Sequence, residues 1–224
     1  MKPPYGYSLD DYDLDNQDLR HYQSNSTLIN KLGQTDTNSL NKLERDYSDL
    51  RFQEFLNLDN PVEFSVDYYT SIHKHIFQDI YQWAGEIRAV DTLKGDSLFT
   101  PHQKINQDLQ KSLDSLEENL KTSFSKDEIG QSLGIFLGEV NRIHPFPEGN
   151  GRTQRLFLST SINDKEYSID WSTISNERMK LASIQAHDNN LNPMIKLIQN
   201  SIITKTHDLN FDNSDFTIED NSSY

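Results

Sequence analysis

The chain has 224 residues, 34% of them hydrophobic, which suits a single domain with a buried core. Its formal net charge of −14 at pH 7 argues against binding to nucleic acid or to an anionic membrane as the main activity, because like charges repel. The absence of cysteine excludes disulfides and thiolate metal sites, and with no signal-peptide pattern or bilayer-length apolar run we expect a cytoplasmic protein, with delivery to another cell left open.

The two ends of the chain differ in composition from the middle. Residues 1–25 interleave aspartates with tyrosines, which fits either an irregular arm packed on the domain surface or plain disorder. Residues 206–224 contain acidic side chains and no lysine or arginine, which predicts a flexible acidic tail. We therefore expect a single domain over residues 26–205.

Apolar residues that recur every three to four positions indicate seven or eight helices between these ends. A short helix is predicted over Ser26–Gly33, since glycine often ends a helix. The first strongly periodic stretch, Phe64–Trp83, is predicted to be one helix. Its His73 and His75 lie two residues apart and face different ways, so they are interpreted as packing or surface residues. The other helices are expected to begin near residues 36, 100, 125, 176 and 192, with one more after the loop described below. The last helix is expected to reach about Ile203, and Tyr167–Trp171 fits a short extended link. The helix that begins near residue 100 carries an apolar stripe: Ile105, Leu109, Leu113, Leu116 and Leu120.

Two helix starts carry capping patterns. Thr100 followed by Pro101 predicts an N-cap and a first-turn proline. Ser125 and Glu128 form a capping-box pattern that opens the next helix, whose apolar stripe runs up to His144. The predicted architecture is therefore an all-α bundle in which a well-defined helix leads into the chain after residue 143.

The segment Arg88–Phe99 breaks the helical period. Lys94-Gly95-Asp96 is a turn candidate between two short extended runs, so a β-hairpin is predicted. From these residues alone, an ordinary surface loop fits equally well.

The twelve residues 144–155 read His-Pro-Phe-Pro-Glu-Gly-Asn-Gly-Arg-Thr-Gln-Arg. Prolines and glycines in this run predict a tight loop between two helices. The second helix would present unpaired backbone N–H groups at its start, and glycines allow an anion to approach the backbone closely. Arg152 and Arg155, three residues apart, add forked donors. A phosphate-binding loop is therefore predicted, with a candidate general base, His144, and a hard oxygen ligand, Glu148, at its other end.

This stretch resembles the signature of the Fic (filamentation induced by cAMP) family, His-x-Phe-x-Asp/Glu-Gly-Asn-Gly-Arg-x-x-Arg, at every fixed position. The run Ile72–Arg88 is also similar to the family's sequence upstream of the signature. The resemblance covers about residues 26–203 and implies the Fic fold, an all-α bundle with a small β-hairpin flap. It implies a protein adenylyltransferase that moves AMP from ATP onto a Ser, Thr or Tyr hydroxyl of a target protein.

The resemblance also implies roles for individual residues. His144 would be the general base, and Glu148 would bind Mg²⁺ that bridges the nucleotide phosphates. Asn150 would lie near the α-phosphate, while Arg152 and Arg155 would hold the β- and γ-phosphates. The flap would cover the site and pair with the target as a strand. The residues expected to contact nucleotide or a flap-bound ligand are Lys94, Gly95, Asp96, Ser97, Gly149, Asn150, Gly151, Arg152, Thr153 and Arg155.

These residues also have plainer interpretations. Phe146 is expected to be a core anchor in any case. Glu148 suits a position beside a helix dipole, and arginines on a helix are usually solvated. Considered apart from the motif, His144 near a helix end is more often a capping or core residue.

Regulation and three alternative functions stay open. Many Fic proteins contain an inhibitory Ser/Thr-x-x-x-Glu-Gly/Asn helix whose glutamate pairs with the second signature arginine. The two nearest stretches of this chain, 114–119 and 173–178, depart from that pattern. We therefore expect a small antitoxin-like protein that contacts Arg155, or no inhibitor at all. The alternatives to adenylyl transfer are transfer of another phosphoryl-containing group, a non-catalytic nucleotide-binding module, and a metal hydrolase using His144 and Glu148.

Overall fold

The computed structural model describes residues 27–58, 61–94 and 97–205, so the predicted N-terminal arm, the acidic tail and the hairpin residues Gly95 and Asp96 lie outside it. The described residues contain seven α-helices and two small antiparallel sheets, which confirms the all-α class with a hairpin. Every described helix is too short or too polar to cross a lipid bilayer. The helices are α1 (Thr37–Leu56), α2 (Val66–Phe77), α3 (Ile105–Thr122), α4 (Lys126–Ile143), α5 (Asn150–Ser161), α6 (Asn176–His187) and α7 (Asn192–Ser201). The strands are β1 (Leu93–Lys94), β2 (Ser97–Leu98), β3 (Tyr167–Ile169) and β4 (Ile202–Thr204).

α1 and α2 each start with a side-chain cap. Asp36 accepts a hydrogen bond from a first-turn backbone N–H at 2.7 Å, and Ser65 accepts one at 3.1 Å. The helix predicted to begin near residue 36 is confirmed. The prediction of one helix over 64–83 is wrong at its end, because α2 ends at Phe77 and the apolar residues that follow are buried in turns.

The predicted helix over residues 26–33 is wrong. Its described part, from residue 27, contains turns and no helix. The Asn30 side chain donates to two backbone carbonyls at 2.9 Å and accepts the Gln34 N–H at 2.9 Å, while the Lys31 N–H donates to the Ile80 carbonyl at 2.7 Å. Asparagine thus closes a local turn with its side chain, in competition with helical bonding.

The start of α3 differs from the prediction. Thr100 is not an N-cap, since its N–H donates to the Arg142 carbonyl at 3.1 Å and a 3₁₀ turn, His102–Lys104, precedes α3. Thr100 instead ties the segment after the hairpin to the last turn of α4. The predicted apolar stripe of α3 is confirmed, and its members are at most 4% exposed: Ile105, Leu109, Leu113, Leu116 and Leu120.

α4 contacts α3, α5, α6 and α7 and delivers the chain to residue 144. The capping box of Ser125 and Glu128 is confirmed. A Cβ added to Gly134 would lie 2.5 Å from Ile195 Cα, and one added to Gly130 would lie 2.8 Å from the α7 backbone. α7 therefore packs backbone to backbone against a glycine face of α4.

The second sheet joins two segments that are distant in sequence. β3 and β4 pair antiparallel, with Ile169 opposite Ile202. The extended link predicted over Tyr167–Trp171 is confirmed in its first part, because β3 covers Tyr167–Ile169 and a 3₁₀ turn begins at Trp171. The prediction of a helix up to Ile203 is wrong, because α7 ends at Ser201 and consecutive β-branched residues favour the strand that follows.

The core beneath the 144–155 loop is aromatic. Phe146, fully buried, stacks on Tyr69 with ring centroids 6.0 Å apart. Tyr69 in turn contacts Phe136 and Phe157 edge-on. The expectation that Phe146 anchors the loop in the core is confirmed, and such ring contacts stabilise the loop position beyond their buried area.

Candidate active site

His144 is the residue at which α4 ends. Its backbone lies in the left-handed region, with φ 49°, and its N–H donates to the Val140 carbonyl at 2.9 Å. A left-handed residue turns the chain out of a helix, although residues other than glycine rarely adopt that conformation. The imidazole stacks on the Phe99 ring, with centroids 4.1 Å apart and planes at 7°. The candidate base therefore lies at a sharp corner of the chain, beside the hairpin.

Arg88 holds this corner together. It is 2% exposed and donates to the carbonyls of His144 at 2.8 Å, Ile143 at 3.1 Å and Val90 at 2.6 Å, as well as to that of Thr100. The last carbonyls of a helix lack intrahelical donors, and a buried guanidinium satisfies them here. Burial lowers the pKa of Arg88 to about 10, so the side chain stays charged at neutral pH. No sequence spacing links residue 88 to residues 143–144, so this contact became visible only in three dimensions.

His73 fixes the middle of the loop. Its Nδ1 accepts the Gly85 N–H at 2.8 Å, so Nε2 carries the proton and donates to the Glu148 carbonyl at 3.0 Å. Its ring stacks on Phe146 at 3.9 Å. Burial lowers the pKa of His73 to about 3, which keeps the ring neutral. The packing role expected for His73 is confirmed, and His75 lies apart, half-buried and edge-on to an aromatic ring of α1 at 5.1 Å.

Asn150 closes the loop on itself. Its side chain accepts the Phe146 N–H at 3.0 Å and donates to the Phe146 carbonyl at 2.8 Å, and the residue is 4% exposed. The side-chain amide is thus engaged within the loop, and the group that Asn150 offers to an anion is its backbone N–H in the first turn of α5. A side-chain contact to the α-phosphate stays a prediction.

Gly149 and Gly151 have different surroundings. Gly149 has φ 80°, and a Cβ there would lie 2.3 Å from a ring atom of Phe77, so both its backbone and its packing require glycine. Thr153, which is fully buried, donates from Oγ1 to the Gly149 carbonyl at 3.0 Å. A Cβ on Gly151 would meet no atom of the described residues within 4 Å. Gly149 and Thr153 therefore build the turn, while Gly151 borders open space.

The N-terminus of α5 is suited to an anion. Gly149 is its N-cap, and within the described part of the chain no side chain caps the helix. First-turn N–H groups carry a partial positive charge and need acceptors. With open space at Gly151, a phosphate group can approach these N–H groups.

The two arginines of the loop have different environments. Arg152 is 3% exposed, and its guanidinium forms a salt bridge with Glu44 and donates to Ser48 Oγ at 2.7 Å, both on α1. It also lies over the Phe77 ring, 4.9 Å from the centroid. Arg155, one turn further along α5, is half-exposed. The structure thus turns Arg152 toward α1 in the core, and the phosphate contacts of both arginines stay predictions.

Glu44 is the centre of the buried cluster around Arg152. It also accepts the Tyr81 hydroxyl. Burial, together with the Glu44 charge, raises the pKa of Tyr81 well above its usual value, so the phenol stays protonated and donates. The cluster satisfies the rule that a buried charge needs a counter-charge and hydrogen bonds. Glu44 and Ser48 lie four residues apart on one face of α1, a spacing equally common on solvated helices, so the sequence did not single them out.

Glu148 is half-buried, and its Oε1 accepts the Gly149 N–H at 2.9 Å. A carboxylate is a ligand that Mg²⁺ favours, and Mg²⁺ completes its shell with phosphate oxygens and water. Across residues 27–58, 61–94 and 97–205, no group of three or more His, Cys, Asp or Glu residues could hold a metal ion. The donor set fits a cation that arrives with a phosphate, and it gives no support to a metal hydrolase built on His144 and Glu148.

The predicted hairpin is confirmed. β1 and β2 pair antiparallel, with Lys94 opposite Ser97. The Phe99 N–H donates across the hairpin at 3.1 Å, and Leu98 is 54% exposed. Because the Phe99 ring contacts His144, the base of the hairpin borders the candidate site.

Comparison with known proteins identifies the family. The model of the Fic/DOC family matches residues 63–161, from before α2 to the end of α5. The protein y4lH of Sinorhizobium fredii, named a probable protein adenylyltransferase, is 33% identical over 183 residues, which cover 81% of this chain and 94% of y4lH. The chain belongs to the Fic/DOC family.

Two further Fic proteins show how far the likeness extends. Protein adenylyltransferase VbhT of Bartonella schoenbuchensis is 33% identical over 177 residues, which are 78% of this chain but 37% of VbhT. The N-terminal Fic domain of a VirB-translocated Bep effector protein from Bartonella quintana, solved with bound ADP, is 27% identical with a TM-score of 0.77, over 84% of this chain and 96% of that one. The predicted Fic fold is therefore confirmed.

Within this Fic/DOC loop, the predicted site residues fall into two groups. One group is engaged inside the protein, by hydrogen bonds or by packing: Gly149, Asn150, Arg152 and Thr153. The other group comprises His144 at the corner, which is 7% exposed, and three residues that are partly exposed: Glu148, Gly151 and Arg155. The first group holds the shape of the loop, and contact of the second group with a ligand stays a prediction.

Proposed function

We propose that this Fic/DOC chain is a protein adenylyltransferase, which moves AMP from ATP to a hydroxyl group of a target protein. The observation that carries the proposal is one hydrogen-bonded loop that joins an imidazole, His144, to a helix N-terminus without a side-chain cap and with open space at Gly151. A base for the hydroxyl proton and a cradle for phosphates are the parts this reaction needs. The names of the curated relatives and the ADP in the Bartonella quintana domain support it.

In the proposed reaction, the hydroxyl of a target Ser, Thr or Tyr gives its proton to His144, and its oxygen attacks the α-phosphorus of ATP. The bond between the α-phosphorus and the bridging oxygen breaks, and pyrophosphate leaves. The N–H groups at the start of α5, with Arg155, neutralise charge on the phosphates. Positioning and charge neutralisation supply most of the rate in such a site.

Glu148 is the residue that would hold Mg²⁺. The ion, when bound, supplies further neutralisation of the phosphate oxygens. The Gly149 N–H orients the Glu148 carboxylate, and His73 holds the Glu148 backbone through its carbonyl. A carboxylate held in this way loses little conformational freedom on binding a cation.

The hairpin is the proposed dock for the target protein. A two-stranded sheet leaves edge N–H and C=O groups to which an extended segment can pair. The residues proposed to meet it are Lys94, Gly95, Asp96 and Ser97. Arg155, half-exposed on α5, is the proposed contact for a carboxylate of a small inhibitory protein. The likeness to a translocated effector domain supports delivery into another cell.

The test is label transfer in a host lysate that contains Mg²⁺ and ATP labelled on either the α- or the γ-phosphate. AMP transfer labels proteins from α-labelled ATP and not from γ-labelled ATP. His144→Ala should reduce the rate by at least ~100-fold, the low end for loss of a general base. His75→Ala, at a histidine outside the loop, should keep the wild-type rate. Label from the γ-phosphate would instead show phosphoryl transfer, and no protein labelling from either ATP would contradict catalysis.

A further inference from the structure

Three rings from distant parts of the chain meet beside the proposed base. Phe99, directly after β2, lies parallel to the His144 imidazole, with centroids 4.1 Å apart and planes at 7°. His187, the last residue of α6, approaches Phe99 edge-on, with centroids 6.3 Å apart and planes at 88°. Phe99 is 8% exposed. Its ring is therefore held by packing between the end of α4 and the end of α6.

The backbone around Phe99 is bonded to the same corner that carries the imidazole. The Phe99 N–H donates across the hairpin, and the Thr100 N–H donates to the Arg142 carbonyl in the last turn of α4, each at 3.1 Å. Arg88 donates to the carbonyls of both Thr100 and His144. The Phe99 backbone and the His144 backbone thus belong to one hydrogen-bonded unit, which fixes where the Phe99 ring starts relative to the imidazole.

We propose that Phe99 is a positioning residue that fixes the plane of the His144 imidazole for proton transfer; this rests on the proposed function. Arg88 and the left-handed φ act on the backbone of His144, and χ2 of histidine has no sharply preferred value, so contacts made by the ring itself set its plane. A flat ring in parallel contact removes this freedom, because rotation about χ2 drives the imidazole edge into the Phe99 face. A general base transfers a proton efficiently only when its nitrogen points at the hydroxyl.

The same contact links target binding to the base. Phe99 continues the chain from β2, one of the two strands to which the target segment would pair. A hydroxyl carried on such a segment has a defined position relative to the Phe99 ring and, through it, to the His144 imidazole. The hairpin thereby docks the target and aligns the base in one structural unit.

The kinetic test compares Phe99→Leu with Phe99→Tyr. Leucine fills much of the volume but lacks a flat face, whereas tyrosine keeps it. We expect Phe99→Leu to lower kcat by about 10- to 100-fold, the cost of misplacing a reacting group. Its KM for ATP and its thermal midpoint should change little, and Phe99→Tyr should recover most of the wild-type rate. If Phe99→Leu does not fold, Phe99→Met, whose unbranched side chain adapts to irregular space, carries the same expectation.

A second measurement needs no activity. The His144 ring protons can be assigned in an NMR spectrum by their disappearance in His144→Ala. In the wild-type protein the Phe99 ring current should shift them upfield, and Phe99→Leu should abolish that shift and broaden the signals. If the wild-type chain transfers no AMP, the proposed function fails, while the spectrum still decides whether Phe99 orders the imidazole.

Two further variants complete the test. Phe124→Leu makes the same change at a phenylalanine that is 79% exposed between α3 and α4, and it should leave both rate and spectrum unchanged. His187→Leu removes the edge contact to Phe99 and should lower kcat by about 2- to 10-fold. The inference is overturned if Phe99→Leu transfers AMP at the wild-type rate, if its His144 signals do not move, or if Phe99→Tyr is as defective as Phe99→Leu.

Discussion

Replacing Glu44 with glutamine would leave the buried Arg152 guanidinium without its counter-charge. The two side chains are 6% and 3% exposed, so water cannot take the place of the lost carboxylate. Removing one partner of a buried ion pair costs about 3–5 kcal/mol, because the remaining charge stays desolvated. In a domain of this size, that loss corresponds to a fall in the thermal midpoint of about 6–20 °C.

Urea unfolding followed by circular dichroism measures the free energy of unfolding for Glu44→Gln, for Arg152→Met and for Glu44→Leu with Arg152→Met. We expect each single variant to be strongly destabilised and the double variant to recover most of the loss, since apolar replacement of a whole buried pair is often neutral. Single variants that lose less than ~1 kcal/mol, the worth of an exposed pair, would refute the reasoning. The ATP affinity of the double variant then separates the two roles of Arg152. Wild-type affinity would leave only the pairing in the core, and weaker affinity would support the predicted phosphate contact.

Three further predictions concern stability. Gly149→Ala should lower the free energy of unfolding by about 2–5 kcal/mol, because alanine is strained at φ 80° and its Cβ meets Phe77. Gly151→Ala, where a Cβ meets open space, should leave stability unchanged and weaken ATP binding. Chemical unfolding measures the stability of both variants, and calorimetry measures their ATP binding. Gly134→Ala should cost about 1–3 kcal/mol by pushing α7 away from α4, measured by thermal unfolding. Because the pKa of His73 is lowered to about 3 from 6.5, the unfolded chain binds a proton between these pH values that the native state does not. The contribution of His73 to the free energy of unfolding is therefore complete above pH 6.5 and is lost as the pH falls from 6.5 to 3. In that range the free energy of unfolding should fall by up to about 1.4 kcal/mol per pH unit. Urea unfolding of the wild type and of His73→Gln over the same pH range measures this dependence as the difference between the two proteins.

Helical periodicity predicted most of the fold because most helices bury one continuous stripe, as α3 does. It failed where burial continues beyond the helix. Ile80 and Tyr81 are fully buried at positions that continue the apolar pattern of α2, yet they lie beyond its end and outside any helix. Such residues satisfy a helical pattern without being helical, since periodicity records burial and only indirectly the backbone. At Asn30 the deciding interaction was a side-chain bond within the turn, which hydrophobic patterning does not register.

The candidate site was predictable where its chemistry is local and hidden where it depends on distant partners. The loop, its helix start and its titratable corner follow from residues 144–155 read alone. Arg88 and Glu44 lie far away in sequence, and each contacts the loop region through a single side chain. A lone arginine or glutamate in an amphipathic helix or a hairpin flank usually lies at the surface, so composition argued against the buried roles that these two have.

The hydrogen bonds of the loop explain why so many of its positions are specified. Asn150 and Thr153 bond to the loop's own backbone, and His73 bonds to it from α2, so the bend is held from inside and from outside. A loop that presents backbone N–H groups to an anion gains affinity only if it does not have to be ordered on binding. A side chain that bonds only to the loop can therefore control the affinity of the site for the nucleotide. It follows that Asn150→Ala should weaken ATP binding and lower stability together, whereas Arg155→Ala, at a half-exposed position, should weaken ATP binding alone.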